Sequence, residues 1–214
     1  MTLKERMALF ESADLYVVIT QAFCAGRPAV EILVSVLEAG VRMVQLREKD
    51  MNDRALYDLS LRFRELTNRH NALLLINDRI DIALATGADG VHLGQEDFPV
   101  DAARSLAPEM IIGCSTHSVS EAVSAQGAGA SYVNIGPIFS TQTKSGTVPA
   151  LGPGVIDAVK PHLAIPWTVM GGIKVSNIAQ VVKRGARRVA VVTAVTAADD
   201  VSAACVALRN AMKK

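Results

Sequence analysis

The residues of this 214-residue chain best equipped for chemistry are carboxylates, cations and glycines, and they point to anions and a hard cation rather than to a nucleophile. Asp78 and Asp97 each follow a short apolar run. Two hard oxygen ligands with few others nearby suit Mg²⁺, which completes its shell with water and substrate phosphates. Helix capping competes with that reading, and spacing leaves both open: Asp78 can open the helix after its apolar run, and Asp97, with Pro99 two residues on, the next. Arg47 and Lys49 lie two apart, on one face of an extended segment, and with Lys144 can gather a diphosphate through charge-assisted hydrogen bonds. Salt bridges to Glu48 or Asp50 are the alternative for the first two, and a solvated loop position for Lys144. Gly171-Gly172 and Val192-Thr193 form a candidate phosphate site, because glycine lets backbone N–H groups approach an anion and a helix N-terminus favours it. A tight turn that needs glycine dihedrals explains the pair of glycines equally well.

The remaining reactive residue types suggest no further chemistry. His92 and His117 follow apolar runs with no nucleophile beside them, so a hydrogen-bonding or structural role is expected and no triad is assigned; His70 and His162 are expected at the surface beside helices. Cys24, Cys114 and Cys205 lie far apart without C-x-x-C spacing and read as reduced thiols of a cytosolic protein. Lys plus Arg number 22 against 21 Asp plus Glu, a formal charge of +1, so no global field recruits nucleic acid or an anionic membrane and any anion site is local. The longest apolar stretch, Val189 to Ala198, is too short for a ~30 Å hydrocarbon core. A cytoplasmic location follows as the expectation, with no nucleic acid or membrane partner and an oligomeric state that the sequence leaves undetermined.

These residues need elements to position them. Gly40 to Arg47, Gly87 to Gly94, Gly129 to Gly136 and Gly185 to Val192 repeat one pattern: a glycine where a helix ends with φ > 0, a short turn, then an apolar strand. Further apolar runs at Leu15 to Ile19, Leu73 to Ile76, Ile111 to Cys114 and Trp167 to Met170 bring the strands to eight, alternating with helices. The helix from Pro28 to Ala39 shows the grammar, with Ile32, Leu33, Val36 and Leu37 on one stripe and Gly40 ending it. The near-continuous Val/Ile/Leu runs suit parallel strands covered on both faces. A single α/β domain over 1–214 is expected, a (β/α)8 TIM barrel with an amphipathic N-terminal helix from Met1 to Glu11; an open doubly wound sheet is the competing architecture. In a barrel the chemistry sits at the C-terminal strand ends, where the polar residues above fall, joined by Gln45, Asn77, Ser115, Thr141 and Thr143. Thr141 to Gly154, rich in Thr, Gly, Ser and Pro, is expected to form a lid over the site.

Four motifs in order, Gln45-Leu46-Arg47-Glu48-Lys49, Ile76-Asn77-Asp78-Arg79, His92-Leu93-Gly94-Gln95-Glu96-Asp97 and Thr141-Gln142-Thr143-Lys144, resemble the thiamine phosphate synthase family over nearly the whole chain. Gly136-Pro137-Ile138-Phe139 and Gly171-Gly172-Ile173 strengthen the resemblance. It implies a transferase that joins hydroxymethylpyrimidine diphosphate to thiazole phosphate, releasing pyrophosphate, by way of a pyrimidine-methyl cation. By motif, Gln45, Arg47, Lys49, Asn77, Ser115 and Lys144 would hold the pyrimidine diphosphate, with Arg47, Lys49, Lys144 and Ser115 serving its departure. Asp78 and Asp97 would hold Mg²⁺, and Thr141, Thr143, Gly172, Val192 and Thr193 the thiazole phosphate. Ser145-Gly146-Thr147 and the bulky Met170 depart from the family pattern. A thiazole tautomerase of the same fold and a non-catalytic barrel that binds a phosphorylated metabolite are the competing functions.

Overall fold

The computed structural model describes residues 1–141 and 149–213. Eight strands, β1 (Leu15–Ile19), β2 (Met43–Leu46), β3 (Leu73–Asn77), β4 (Gly90–Leu93), β5 (Ile111–Thr116), β6 (Tyr132–Ile135), β7 (Trp167–Val169) and β8 (Val189–Val191), pair in parallel and in sequence order into a closed barrel. The open-sheet alternative is therefore excluded: β8 returns to β1 through Leu15↔Val189, Tyr16↔Ala190 and Val17↔Val191.

The helices α1 (Leu3–Ser12), α2 (Ala29–Glu38), α3 (Asp53–Arg69), α4 (Ile80–Ala85), α5 (Val100–Leu106), α6 (Val119–Gly127), α7 (Val155–Val159), α8 (Ala179–Val182), α9 (Thr193–Thr196) and α10 (Val201–Met212) complete the architecture. The expected grammar holds in detail. Ile32, Leu33, Val36 and Leu37 are the buried stripe of α2. Gly40, Gly87, Gly129 and Gly185 have φ of 82°, 64°, 94° and 97°, the left-handed values a helix C-terminal turn requires.

Alternation along each strand separates two cores. Leu15, Val17 and Ile19 of β1, with Val44, Leu46, Leu74 and Ile76, face outward into the layer beneath the helices. Tyr16, Val18, Met43, Leu73, Leu75, Ile111, Tyr132 and Ala190 fill the barrel interior, together with Phe10 of α1. The N-terminal helix thus plugs one end of the barrel. The Phe10 ring lies 4.6 Å from that of Tyr132, and the Arg188 guanidinium sits over the Phe10 ring, 5.2 Å from its centroid. Asp89, just before β4 and only 1% exposed, bonds Arg64 at 2.6 Å and the Leu74 N–H at 2.9 Å and faces Arg6 of α1 at 3.5 Å. With that end sealed, the inward positions remaining for a ligand lie at the C-terminal mouth.

All three cysteines are free and buried. Among the described residues, no helix is long and apolar enough to cross a membrane.

Candidate active site

The pleat places Gln45 and Arg47, Asn77, His92, Ser115 and Asn134 on the inward face, at or beyond the C-terminal halves of their strands. They surround a cavity of about 310 Å³ that Lys49, Asp78, Asp97 and Thr141 also line. Thr143 and Lys144, the Ser145-Gly146-Thr147 departure and half of the expected lid lie outside the described residues. Beyond them, Leu151 and Gly152 donate backbone bonds to Pro137 and Ile138 at 2.8 and 3.0 Å, which ties residues 151–152 to the loop after β6.

Asp78 takes the left-handed conformation, φ 59°, because the chain must leave β3 abruptly: its N–H donates to the His92 carbonyl at 2.9 Å while the next N–H, Arg79, turns back to Asn77 at 2.7 Å. The side chain then meets that of Asp97, with which it shares a hydrogen bond, and the Lys49 ammonium. Asp97 accepts the Gly94 N–H at 2.6 Å. A side chain at Gly94 would stand 2.7 Å from that same Asp97 oxygen, so it would push the carboxylate from this position. Helix capping is not what these carboxylates do. The residue before α4 is Arg79 and the one before α5 is Pro99, and neither Asp78 nor Asp97 occupies a helix N-cap. Likewise Lys49 pairs with Asp78 rather than with Glu48 or Asp50; Glu48 turns away to accept the Gln21 N–H at 2.6 Å.

Burial, and then the neighbouring Asp97, push the Asp78 carboxyl above the ordinary range, against the pull of Lys49. Burial acts to raise Asp97 too, but the bonds from Asp78 and the Gly94 N–H, with the Lys49 charge, outweigh it and hold Asp97 low. With opposite shifts on two adjacent carboxyls, Asp78 is the one that takes up a proton first as pH falls. A hard divalent cation suits that donor set. Among the described residues no third His, Cys, Asp or Glu joins them, so water and substrate oxygens would complete the shell.

Two buried polar atoms at the mouth have no partner: Asn77 Nδ2 and Thr20 Oγ1, on residues each 7% exposed and both lining the cavity. Beneath them runs a buried series of side-chain bonds. Gln45 Nε2 donates to the Tyr16 hydroxyl, which lies 3.2 Å from that of Tyr132; His92 Nδ1 is 2.8 Å from Tyr132 and His92 Nε2 is 2.9 Å from Ser115 Oγ. His92 thus has the hydrogen-bonding role expected of it. His117, at the rim, bonds Glu121 at 2.9 Å, while His162 is exposed and His70 half-buried at the end of α3. Tyr16, Tyr132 and Asn134 are not legible as site residues, because within an apolar run nothing distinguishes an inward polar residue from an outward one; Thr20 follows the run Leu15 to Ile19 and was missed although its place after a strand is the usual cue. Period-2 counting from Gln45 on β2 is the signal that finds their counterparts.

A second cavity of about 670 Å³, lined by Gly172, Thr193, Ala194 and Lys174, adjoins the first and shares Met170, Gly171 and Val192 with it. Gly172, at φ 61°, is pressed against the loop after β6: an added side chain would lie 2.5 Å from the Ser140 carbonyl. The turn explanation for this glycine is therefore correct, and the same turn leaves Gly172 backbone lining the cavity. Met170 stands between the two spaces, its sulfur 3.5 Å from Asn134 Nδ2. Lys174 is a cation the sequence reading passed over.

A parallel barrel that gathers its polar inward residues at the C-terminal mouth has the architecture of the (β/α)8 enzymes. Within that class the chain belongs to the thiamine monophosphate synthase family, whose model matches residues 15–195. Thiamine-phosphate synthase of Dictyoglomus thermophilum is 40% identical over 198 residues, covering 92% of this chain and 89% of that one. The Chloroflexus aurantiacus enzyme of the same name is 43% identical over 195 residues, 91% of this chain and 90% of that one. The solved thiamine phosphate pyrophosphorylase from Pyrococcus furiosus superposes with a TM-score of 0.87 at 35% identity, covering 94% of this chain and 96% of that chain.

Proposed function

We propose that this chain is a cytoplasmic transferase that joins hydroxymethylpyrimidine diphosphate to thiazole phosphate, giving thiamine phosphate and pyrophosphate, and that residues 1–214 act as one barrel unit. The observation that carries the reading is the pairing of Asp78 with Asp97 beside Lys49, on the wall of a cavity that Arg47 also lines. Two carboxylates beside two cations on one cavity wall offer oxygen ligands for a hard cation and positive charge for the anion that would come with it.

Asp78 and Asp97 would hold Mg²⁺, which when bound neutralises the diphosphate and makes it a better leaving group. Arg47, Lys49 and Lys144 take up the charge that accumulates on the departing oxygen, and Ser115 donates to the diphosphate. Gln45 and Asn77 are neutral and orient the aminopyrimidine without adding negative charge; Asn77 Nδ2 is buried without a partner, as a donor awaiting a ligand should be. The bond from the pyrimidine methylene carbon to the diphosphate oxygen breaks with its electron pair leaving on pyrophosphate. The thiazole nitrogen then supplies the pair that forms the new C–N bond. Thr141, Thr143, Gly172, Val192 and Thr193 hold the thiazole phosphate, and Lys174, on the wall of the same cavity, adds a positive charge. Phe23, Met170 and Val192 give the cavity an apolar wall that keeps water from the pyrimidine-methyl cation.

Purified protein supplied with both phosphorylated substrates, with and without Mg²⁺, tests this. Equal, Mg²⁺-dependent release of pyrophosphate and formation of thiamine phosphate is expected. Isomerisation of the thiazole without pyrophosphate would move the assignment to a tautomerase, and tight binding of thiazole phosphate with no turnover under any metal condition to a binding barrel.

A further inference from the structure

We infer that Gln45, Tyr16, Tyr132, His92 and Ser115 form one directional hydrogen-bond chain through the barrel, so that the face Gln45 shows the cavity and the donor Ser115 shows it are set together. The inference rests on the assignment of Gln45 and Ser115 to the pyrimidine diphosphate. Tyr16, Tyr132 and His92 are positioning residues in it, since they act through the two end groups.

Gln45 on β2 and Ser115 on β5 stand on well-separated strands of the barrel and both line the same cavity. Three buried side chains join them. The path exists because Gly113 has no side chain: a Cβ there would lie 2.3 Å from the Tyr132 ring, which needs that space to lie across the interior. Burial pushes both phenols far above their ordinary range, so each keeps its single proton.

Counting protons then fixes the direction. Gln45 Nε2 donates to Tyr16, so the Tyr16 proton must go to Tyr132 and the Tyr132 proton to His92 Nδ1. A neutral His92 whose Nδ1 accepts carries its proton on Nε2 and donates it to Ser115 Oγ, which leaves the Ser115 proton for the cavity. The reverse direction is the other self-consistent arrangement of a neutral chain, with the Gln45 carbonyl turned to Tyr16 and the Ser115 proton spent on His92. Any mixture leaves one buried link with two protons or none.

In the direction that the Gln45 amide sets, the cavity offers an acceptor, Gln45 Oε1, on the β2 side and a donor, the Ser115 hydroxyl, on the β5 side. A ligand that fits has a ring amino group at one end and an anionic oxygen at the other, which an aminopyrimidine diphosphate supplies. A ring with an oxo group in place of the amino group would turn Gln45, reverse the chain and remove the Ser115 donor from the diphosphate. The chain is thus a specificity device that exacts a second penalty at a distance from the altered atom.

The test reads the His92 tautomer by ¹⁵N NMR in the substrate-free protein, with His92→Asn identifying its signals among the four histidines. The wild type is expected to show the neutral ring with the proton on Nε2. In Gln45→Glu the carboxylate only accepts, so the proton is expected on Nδ1. A doubly protonated ring in the wild type, or the same tautomer in both proteins, overturns the inference. The second measurement compares kcat/KM for hydroxymethylpyrimidine diphosphate with that for its analogue bearing a ring oxo group in place of the amino group. Tyr132→Phe, which cuts the chain, is expected to lower the wild-type ratio about tenfold. An unchanged ratio overturns the inference, and this reading decides if Gln45→Glu does not fold. The tautomer is read without substrate, so inactive protein with the expected tautomers would sink the synthase reading alone, and active protein with a fixed tautomer the chain alone.

Discussion

The two ends of the barrel handle buried polarity in opposite ways. At the N-terminal end Asp89 has its charge matched by Arg64 and Arg6 and an oxygen bonded by the Leu74 N–H, and the Phe10 ring fills the space beneath Tyr132. Arg6 Nε and Arg64 Nε lack a hydrogen-bond partner there, but other nitrogens of both guanidinium groups are bonded. At the C-terminal mouth two carboxylates lie side by side, and Thr20 Oγ1 and Asn77 Nδ2 are buried with nothing to bond. An unmade buried hydrogen bond costs about 1–3 kcal/mol, so Thr20 and Asn77 are held at the mouth at an energetic cost. One end stabilises the fold, and the other is left for a ligand to complete.

Substitutions that separate stability from activity can break that contrast. Asp78→Asn should lower kcat/KM by about 10²-fold or more while leaving the thermal midpoint unchanged or raised, because it removes one carboxyl of a close acidic pair along with the proposed cation site. A midpoint that falls together with activity would make Asp78 structural. Asp89→Asn should do the converse. Leaving Arg64 and Arg6 without their buried counter-charge should cost about 3 kcal/mol in denaturant unfolding, with kcat/KM of the folded fraction unaltered. The smallest effect and the sharpest discrimination come from Thr20→Val. It removes an unpartnered buried hydroxyl, so stability should rise by about 1 kcal/mol, while a ligand contact at that atom would appear as a roughly tenfold rise in KM. Stability lost with KM unchanged would mean that Thr20 belongs to the fold.

Much of the barrel could be read from the chain, because its cues are local. The glycines at 40, 87, 129 and 185 have the positive φ that their place after a helix requires, and the apolar stripe of α2 is buried residue for residue. Polar residues following apolar runs, such as Asn77, Asp78 and Ser115, lead to the correct end of the barrel for the same reason. What local cues did not resolve was the inside of the strands. When both faces are buried, hydrophobicity does not alternate, and Tyr16 and Tyr132 look no different from Leu15 and Val133 although the pairs face different cores.

The residue types of the site, their order along the chain and the alternation that builds a parallel barrel were determined by the sequence alone, since each depends on neighbours within a few residues. Closure of β8 on β1, the meeting of Asp78 with Asp97 and Lys49 instead of with helix ends, and the line of contacts from Gln45 to Ser115 were decided by the tertiary structure. These depend on distances between residues 19 to 174 positions apart, which are set only when strand register and barrel closure bring the inward faces together.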